Sequence, residues 1–271
     1  MSPPDQPGID PRSMLGEFAT DLWFPHYRPV ARGPWSIHVI MMVSARGYWG
    51  TSYEFDGSVI LRGPVERGAT SWMSIVPMEI ESQEIGIAAA HGHTVVLGLG
   101  MGWCAANVAL NPAVERVTVV ERDPDVIALI EDLGIISQLP EQAAAKIRIV
   151  QGDALEWRPD APVDSVQADI WAKFTEPQKW ADVRRMQENI GAASFYFWGQ
   201  EMELWRLACQ ARGSVPRQLD RGEIARLAGA SGLPLILLDW TDYEDRIAAA
   251  ARWWTPREQG WWDVMADRAF A

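Results

Sequence analysis

Residues 95–129 read VVLGLGMGWCAANVALNPAVERVTVVERDPDVIAL. An apolar run of the buried parallel type ends in Gly98, Gly100 and Gly102. A helical stretch follows at about 103–111, and then a second apolar strand that ends in Glu121. Glycines at a strand-to-helix turn let the backbone bend sharply and let a ligand approach with no Cβ in the way. An acid at the end of the next strand stands where it can take both hydroxyls of a ribose. The spacing is GxGxG. A dinucleotide fingerprint, GxGxxG, would need glycine at 103, and Trp103 stands there. No GxxxxGK[ST] phosphate loop occurs in the chain. The pattern suits a nucleoside without a pyrophosphate.

The third strand, IRIVQGDALEW, supplies Asp153 and Ala154 at its end. A carboxylate there can accept from an adenine amine, and the backbone N–H of Ala154 can reach the ring. The carboxyl ends of strands are where ligands bind in an open parallel sheet.

The rest of the chain agrees with this frame. PMEIESQEIGIAAAHG predicts a helix from about residue 78, with an apolar stripe of Ile80, Ile85 and Ile87. After residue 150 come the strand DSVQADIW, a helix near 177–189, the strand AASFYFWG, a helix near 201–211 and the strand LPLILLDW. Strands alternating with helices imply a doubly wound parallel α/β sheet with right-handed crossovers. Upstream, residues 35–80 read as β-structure, and Asp56-Gly57 between alternating segments predicts a hairpin over 47–63. Seven prolines within residues 1–34 mark an irregular arm. It reads as a surface extension, or as a segment that covers an active site or reaches a second subunit. The expected division is an arm (1–34), a small β-domain (35–79) and the nucleoside-binding sheet (80–271).

Length and composition set outer bounds. A chain of 271 residues with 48% hydrophobic and 22% charged residues is an ordinary globular protein. A net charge of 24 − 36 = −12 with no basic stretch argues against nucleic acid as a partner. No apolar run approaches the roughly 18–20 residues that span a bilayer, and no signal peptide is visible, so a soluble, cytoplasmic protein is expected. Two cysteines, Cys104 and Cys209, make no disulfide framework. Cys104 is expected to pack under the glycine loop. His91 and His93 lack the further ligands of a zinc site, and no metal is expected. Of fifteen tryptophans, Trp171 and Trp198 are placed to wall a flat or cationic ligand, while Trp253, Trp254, Trp261 and Trp262 cluster at the C-terminus.

On these motifs the chain resembles the class I S-adenosylmethionine-dependent methyltransferases, most closely their spermidine-synthase-like branch. GLGMG resembles the first cofactor motif, VTVVERDP the second and QGDALEW the third. YEFDGSVILRGPVERGATSW resembles the N-terminal hairpin of aminopropyltransferases. The resemblance covers about residues 47–171 and implies a Rossmann-like methyltransferase sheet behind a small β-domain. It implies S-adenosylmethionine as cofactor and methyl transfer to a small-molecule acceptor, with polyamine aminopropyl transfer or a non-catalytic nucleoside-binding or interaction protein on the same fold as the alternatives, and it leaves room for a homodimer. It places Gly98, Gly100, Gly102, Glu121, Asp153 and Ala154 around the cofactor and makes Asp169 the acid near the transferred group. The chain departs from the aminopropyltransferase pattern at Met101, where that family carries an aspartate. It departs again at Ser71-Trp72-Met73, in place of Tyr-His-Glu/Gln, and after Asp169, which is followed by Ile170-Trp171-Ala172. On those departures S-adenosylmethionine is expected to bind more tightly than its decarboxylated form.

Overall fold

The computed structural model describes residues 8–41, 44–64 and 71–255. The larger part of the chain carries a five-stranded parallel sheet, built from β7 (Gly92–Leu97), β8 (Val114–Glu121), β9 (Ile147–Gln151), β10 (Ser165–Ala168) and β11 (Ser194–Phe197). Its spatial order is β11-β10-β7-β8-β9. That is the doubly wound Rossmann-like order, in which the direction of winding reverses between β7 and β10. The helices are α1 (Pro77–Ala89), α2 (Trp103–Leu110), α3 (Pro124–Leu133), α4 (Glu141–Ala144), α5 (Lys179–Ile190), α6 (Gln200–Arg212), α7 (Arg221–Ala230) and α8 (Tyr243–Trp254). Side-chain alternation explains the near-continuous apolar strands. Val95 and Leu97 pack into one core with α5, α6 and α8, while Val96 packs into a second core with α2 and α3.

The upstream strands are β1 (Val30–Arg32), β2 (Trp35–Ile40), β3 (Ser44–Arg46), β4 (Ser52–Glu54), β5 (Ser58–Arg62) and β6 (Met73–Ser74). Four of them form an antiparallel sheet of order β1-β2-β5-β6, and β3 pairs with β4. The expected hairpin over 47–63 does not form. β5 pairs with β2, Ile40 opposite Ser58, and β4 turns back on β3 through residues 47–51. Asp56 and Gly57 instead donate their N–H groups to the carbonyl of Met14 in the arm. A local turn signal has yielded to a longer-range pairing. The expected strand LPLILLDW is likewise reduced to one bridge, Leu235 beside Phe195. Pro234 gives its carbonyl to Phe195 N–H, Ile236 gives its N–H to the Phe195 carbonyl, and the pairing stops there.

The arm packs on the sheet domain, with Leu15, Phe18, Phe24 and Tyr27 buried. Phe24 stacks on Trp103 at 5.6 Å, and the indole of Trp103 donates to the carbonyl of Trp23. Asn107 of α2 accepts from Trp23 N–H and donates to Trp23 carbonyl oxygen. Trp253 and Trp254 sit at the end of α8, and the indole of Trp254 donates to Tyr48 carbonyl oxygen. Trp261 and Trp262 lie outside the described residues.

Candidate active site

One cleft opens across the carboxyl ends of β7, β8, β9 and β10. Gly98, Gly100, Glu121, Asp153, Ala154 and Asp169 all line it. Gly102 does not. It precedes α2 in the left-handed conformation and faces Ile130 and Ile135.

The glycine loop has its shape for two different reasons. Gly98 has φ +97°, and a side chain there would run into the carbonyl oxygen of Asp169. Gly100 has φ +51°, and a Cβ would come within 2.7 Å of the Met73 sulfur. The first contact is with backbone and cannot yield. The second is with the end of a flexible side chain.

Met101, between Gly100 and Gly102, does not line the cleft. It is fully buried, and its carbonyl accepts the hydroxyl of Tyr27 at 3.0 Å. The cofactor preference expected from Met101 therefore has no cleft-lining side chain behind it.

Glu121 is held by backbone. Oε2 accepts from Leu99 N–H at 2.9 Å and Oε1 from Asp123 N–H at 2.8 Å. Each carboxylate oxygen retains a lone pair. Asp153 accepts from Leu155 N–H at 2.9 Å through Oδ1. Both acids are thus fixed at the cleft wall with acceptor capacity to spare, an acceptor set matched to hydroxyls and an amine.

Asp169 follows β10 on the other side of the switch point. Its Oδ2 accepts from Gln83 Nε2 at 2.5 Å. Burial pushes its carboxyl up to about 6, against the pull of Lys179 and of the Gln83 bond. Three residues of this end were not expected from the sequence. Glu79 and Gln83 come from α1 and line the cleft. Burial holds Glu79 well above the usual carboxylate range, the charge of Asp169 adds to this, and bonds from Gln83 and the Ser74 backbone oppose it. Lys179 is the third. Its ammonium donates to the carbonyls of Lys173, Phe174 and Trp198 at 2.7, 2.9 and 3.1 Å, which pins the loop after β10. Glu79 and Gln83 are an i, i+4 pair on α1, but Glu81, Ser82 and Glu84 of the same helix are polar too, so the sequence does not single out the first two.

Trp35, Trp72, Trp171 and Trp198 supply the aromatic walls. Trp171 and Trp198 are anchored by their indole N–H groups, to Asp182 and Ser82 at 2.9 Å each. The Lys179 ammonium lies 4.6 Å from the Trp171 ring centre and 5.3 Å from that of Trp198. Cys104 also lines the cleft, and burial pushes its thiol far up, with Asp169 and Glu79 adding to the effect. His93 is occupied structurally, within hydrogen-bond reach of Pro162 carbonyl oxygen and Thr118 hydroxyl.

No protein-family profile matches the chain. A stretch of 85 residues is 36% identical to polyamine aminopropyltransferase 2 of Streptomyces coelicolor and takes in 30% of this chain and 15% of that protein. Solved structures similar to part of the chain include the glycopeptide N-methyltransferase MtfA with S-adenosyl-L-homocysteine. That match has 20% identity and TM-score 0.32, over 40% of this chain and 41% of that one. The DhpI complex with the same nucleoside matches at 18% identity and TM-score 0.30, over 41% of this chain and 48% of the other. Among the described residues no helix is long and apolar enough to cross a membrane.

Proposed function

We propose that the chain is an S-adenosylmethionine-dependent transferase that moves a methyl group to a small-molecule acceptor. The carrying observation is that the glycine loop, Glu121, Asp153 and Asp169 open from adjacent strand ends into one cleft. When bound, S-adenosylmethionine supplies an electrophilic carbon on a sulfonium. Glu121 accepts from the ribose hydroxyls, Asp153 from the adenine amine, and Ala154 donates its N–H to the ring. Gly98 and Gly100 admit the ligand against bare backbone. Asp169 takes the proton that an N–H or O–H acceptor must lose, while Trp72, Trp171 and Trp198 keep water from the reacting end. In this reading residues 1–34, 35–79 and 80–271 are arm, β-domain and transfer domain. The protein acts in the cytoplasm and not on nucleic acid, which suits its net charge of −12.

Aminopropyl transfer is the second reading. The match to an aminopropyltransferase over 85 residues favours it. So does the removal of Met101 from the cleft, because the missing loop aspartate then no longer tells against it. Calorimetry with S-adenosylmethionine, its decarboxylated form and S-adenosylhomocysteine tests both. Tighter binding of the intact cofactor supports methyl transfer, and the reverse order supports aminopropyl transfer. Absence of binding to all three overturns both.

A further inference from the structure

The acceptor end of the cleft holds two carboxyls, Asp169 after β10 and Glu79 in the first turn of α1. Gln83 lies one turn beyond Glu79 and joins Asp169 to a chain of amides. Its Nε2 donates to Asp169, and its Oε1 accepts from Gln167 Nε2 at 2.7 Å. Gln167 is itself buried, and Gly86 of α1 stands opposite its Oε1, where any side chain would collide with it. The Gln83 amide is therefore committed at both ends, and its donor points at Asp169.

The other titratable groups that face the pair are Cys104 from α2, Lys179 from α5 and Tyr196 from β11. Lys179 is the cation among these, and its ammonium is shared with three carbonyls. Two carboxylates in one water-poor space cannot both ionise cheaply.

We propose that Glu79, Gln83 and Asp169 act as one unit, in which the two carboxyls hold a single proton between them at neutral pH and Gln83 keeps the charge on Asp169. The acceptor end then presents one negative charge, not two, opposite the sulfonium. Glu79 is the resident holder of the proton, since Lys179 favours the ionised form of Asp169, whereas the charge of Asp169 favours the protonated form of Glu79. The inference rests on the proposed role of Asp169 as proton acceptor, and it makes Gln83 a positioning residue and Glu79 the residue that sets the charge.

The test is a carbon-13 carboxyl titration of the full chain by NMR, with Glu79→Gln, Asp169→Asn and Gln83→Leu. Asp169→Asn is expected to lower the Glu79 midpoint by about one pH unit or more. Glu79→Gln should abolish the upper of two linked steps, and Gln83→Leu should raise the Asp169 midpoint. A Glu79 that titrates in the ordinary carboxylate range, or whose midpoint ignores Asp169→Asn, overturns the proposal. Glu79→Gln and Asp169→Asn are near-isosteric, and either one alone decides the coupling if the other fails to fold. The titration needs no nucleoside. Independent titration with intact S-adenosylhomocysteine binding sinks the pair only, and linked titration without binding sinks only the functional reading.

Discussion

The hydroxyl of Tyr48 donates to Oε2 of Glu201 at 2.9 Å, across 153 positions of sequence. Tyr48 sits at the turn between β3 and β4, and Glu201 in the first turn of α6. Tyr196 of β11 donates to the same oxygen at 3.1 Å, and Tyr243 of α8 to Oε1 at 2.8 Å. One buried carboxylate thus ties hairpin, sheet and C-terminal helix together. Tyr48→Phe leaves Glu201 two donors and should cost about 1 kcal/mol. Glu201→Ala strands the buried hydroxyls of Tyr48 and Tyr243, while Tyr196 keeps the Ser82 carbonyl at 3.0 Å, and should cost about 3 kcal/mol or more. Urea unfolding measures both, and equal costs for the two variants would contradict the clamp.

Glu121→Ala should weaken S-adenosylhomocysteine binding about tenfold or more, the worth of a charged hydrogen bond. Glu121→Gln should lose nearly as much. Both carboxylate oxygens accept backbone N–H groups, and a carboxamide would set its own NH2 against one of them. Calorimetry giving parental affinity for either variant would remove Glu121 from the nucleoside site.

The two loop glycines should respond differently. Gly98→Ala drives a methyl into the Asp169 backbone and should lower thermal stability outright. Gly100→Ala asks only that the Met73 side chain move and that one residue bear positive φ, at roughly 1 kcal/mol. Gly100→Val should abolish nucleoside binding at a smaller loss of melting temperature than Gly98→Ala. The opposite ranking would show that Gly100 only shapes a turn.

The Asp169 carboxyl titrates at about 6 when folded, against about 3.9 in an unfolded chain. The folded state binds the extra proton between these values, so this group's contribution to stability falls as pH rises from about 4 to about 6. Asp169→Asn removes that loss while keeping an oxygen for Gln83. Relative to the parent, the variant should gain at least about 2 kcal/mol between pH 4 and pH 7. Denaturant unfolding at the two pH values checks it, and a difference that does not change with pH would place Asp169 in ordinary solvent.

Met101→Asp should not change cofactor preference. It buries an unpaired acid beneath the Tyr27 bond and should cost about 3 kcal/mol or more. A melting curve equal to the parent's, with a shift toward the decarboxylated cofactor, would mean that the side chain reaches the cleft after all.

The strand-end residues were legible because a parallel sheet puts every βα turn on one edge, and motif spacing alone then gathers Gly98, Glu121, Asp153 and Asp169. Glu79, Gln83 and Lys179 were not. On a sequence they look like the solvated sides of α1 and α5, and only tertiary packing turns those sides inward. Asp56-Gly57 misled for the converse reason. Its N–H groups are claimed by Met14, a partner that no local pattern announces.

The bonds from Tyr27 to Met101, and from the Trp103 and Asn107 side chains to Trp23, bear on how this sheet can be transplanted. A graft cut at residue 80 would carry the whole cleft edge of the strands, yet it would leave the outer carbonyl of the glycine loop and the indole of Trp103 facing water. The portable unit begins with the arm. Protein engineers who borrow the cleft should move residues 8–29 with it, or redesign the outer face of α2 to stand alone.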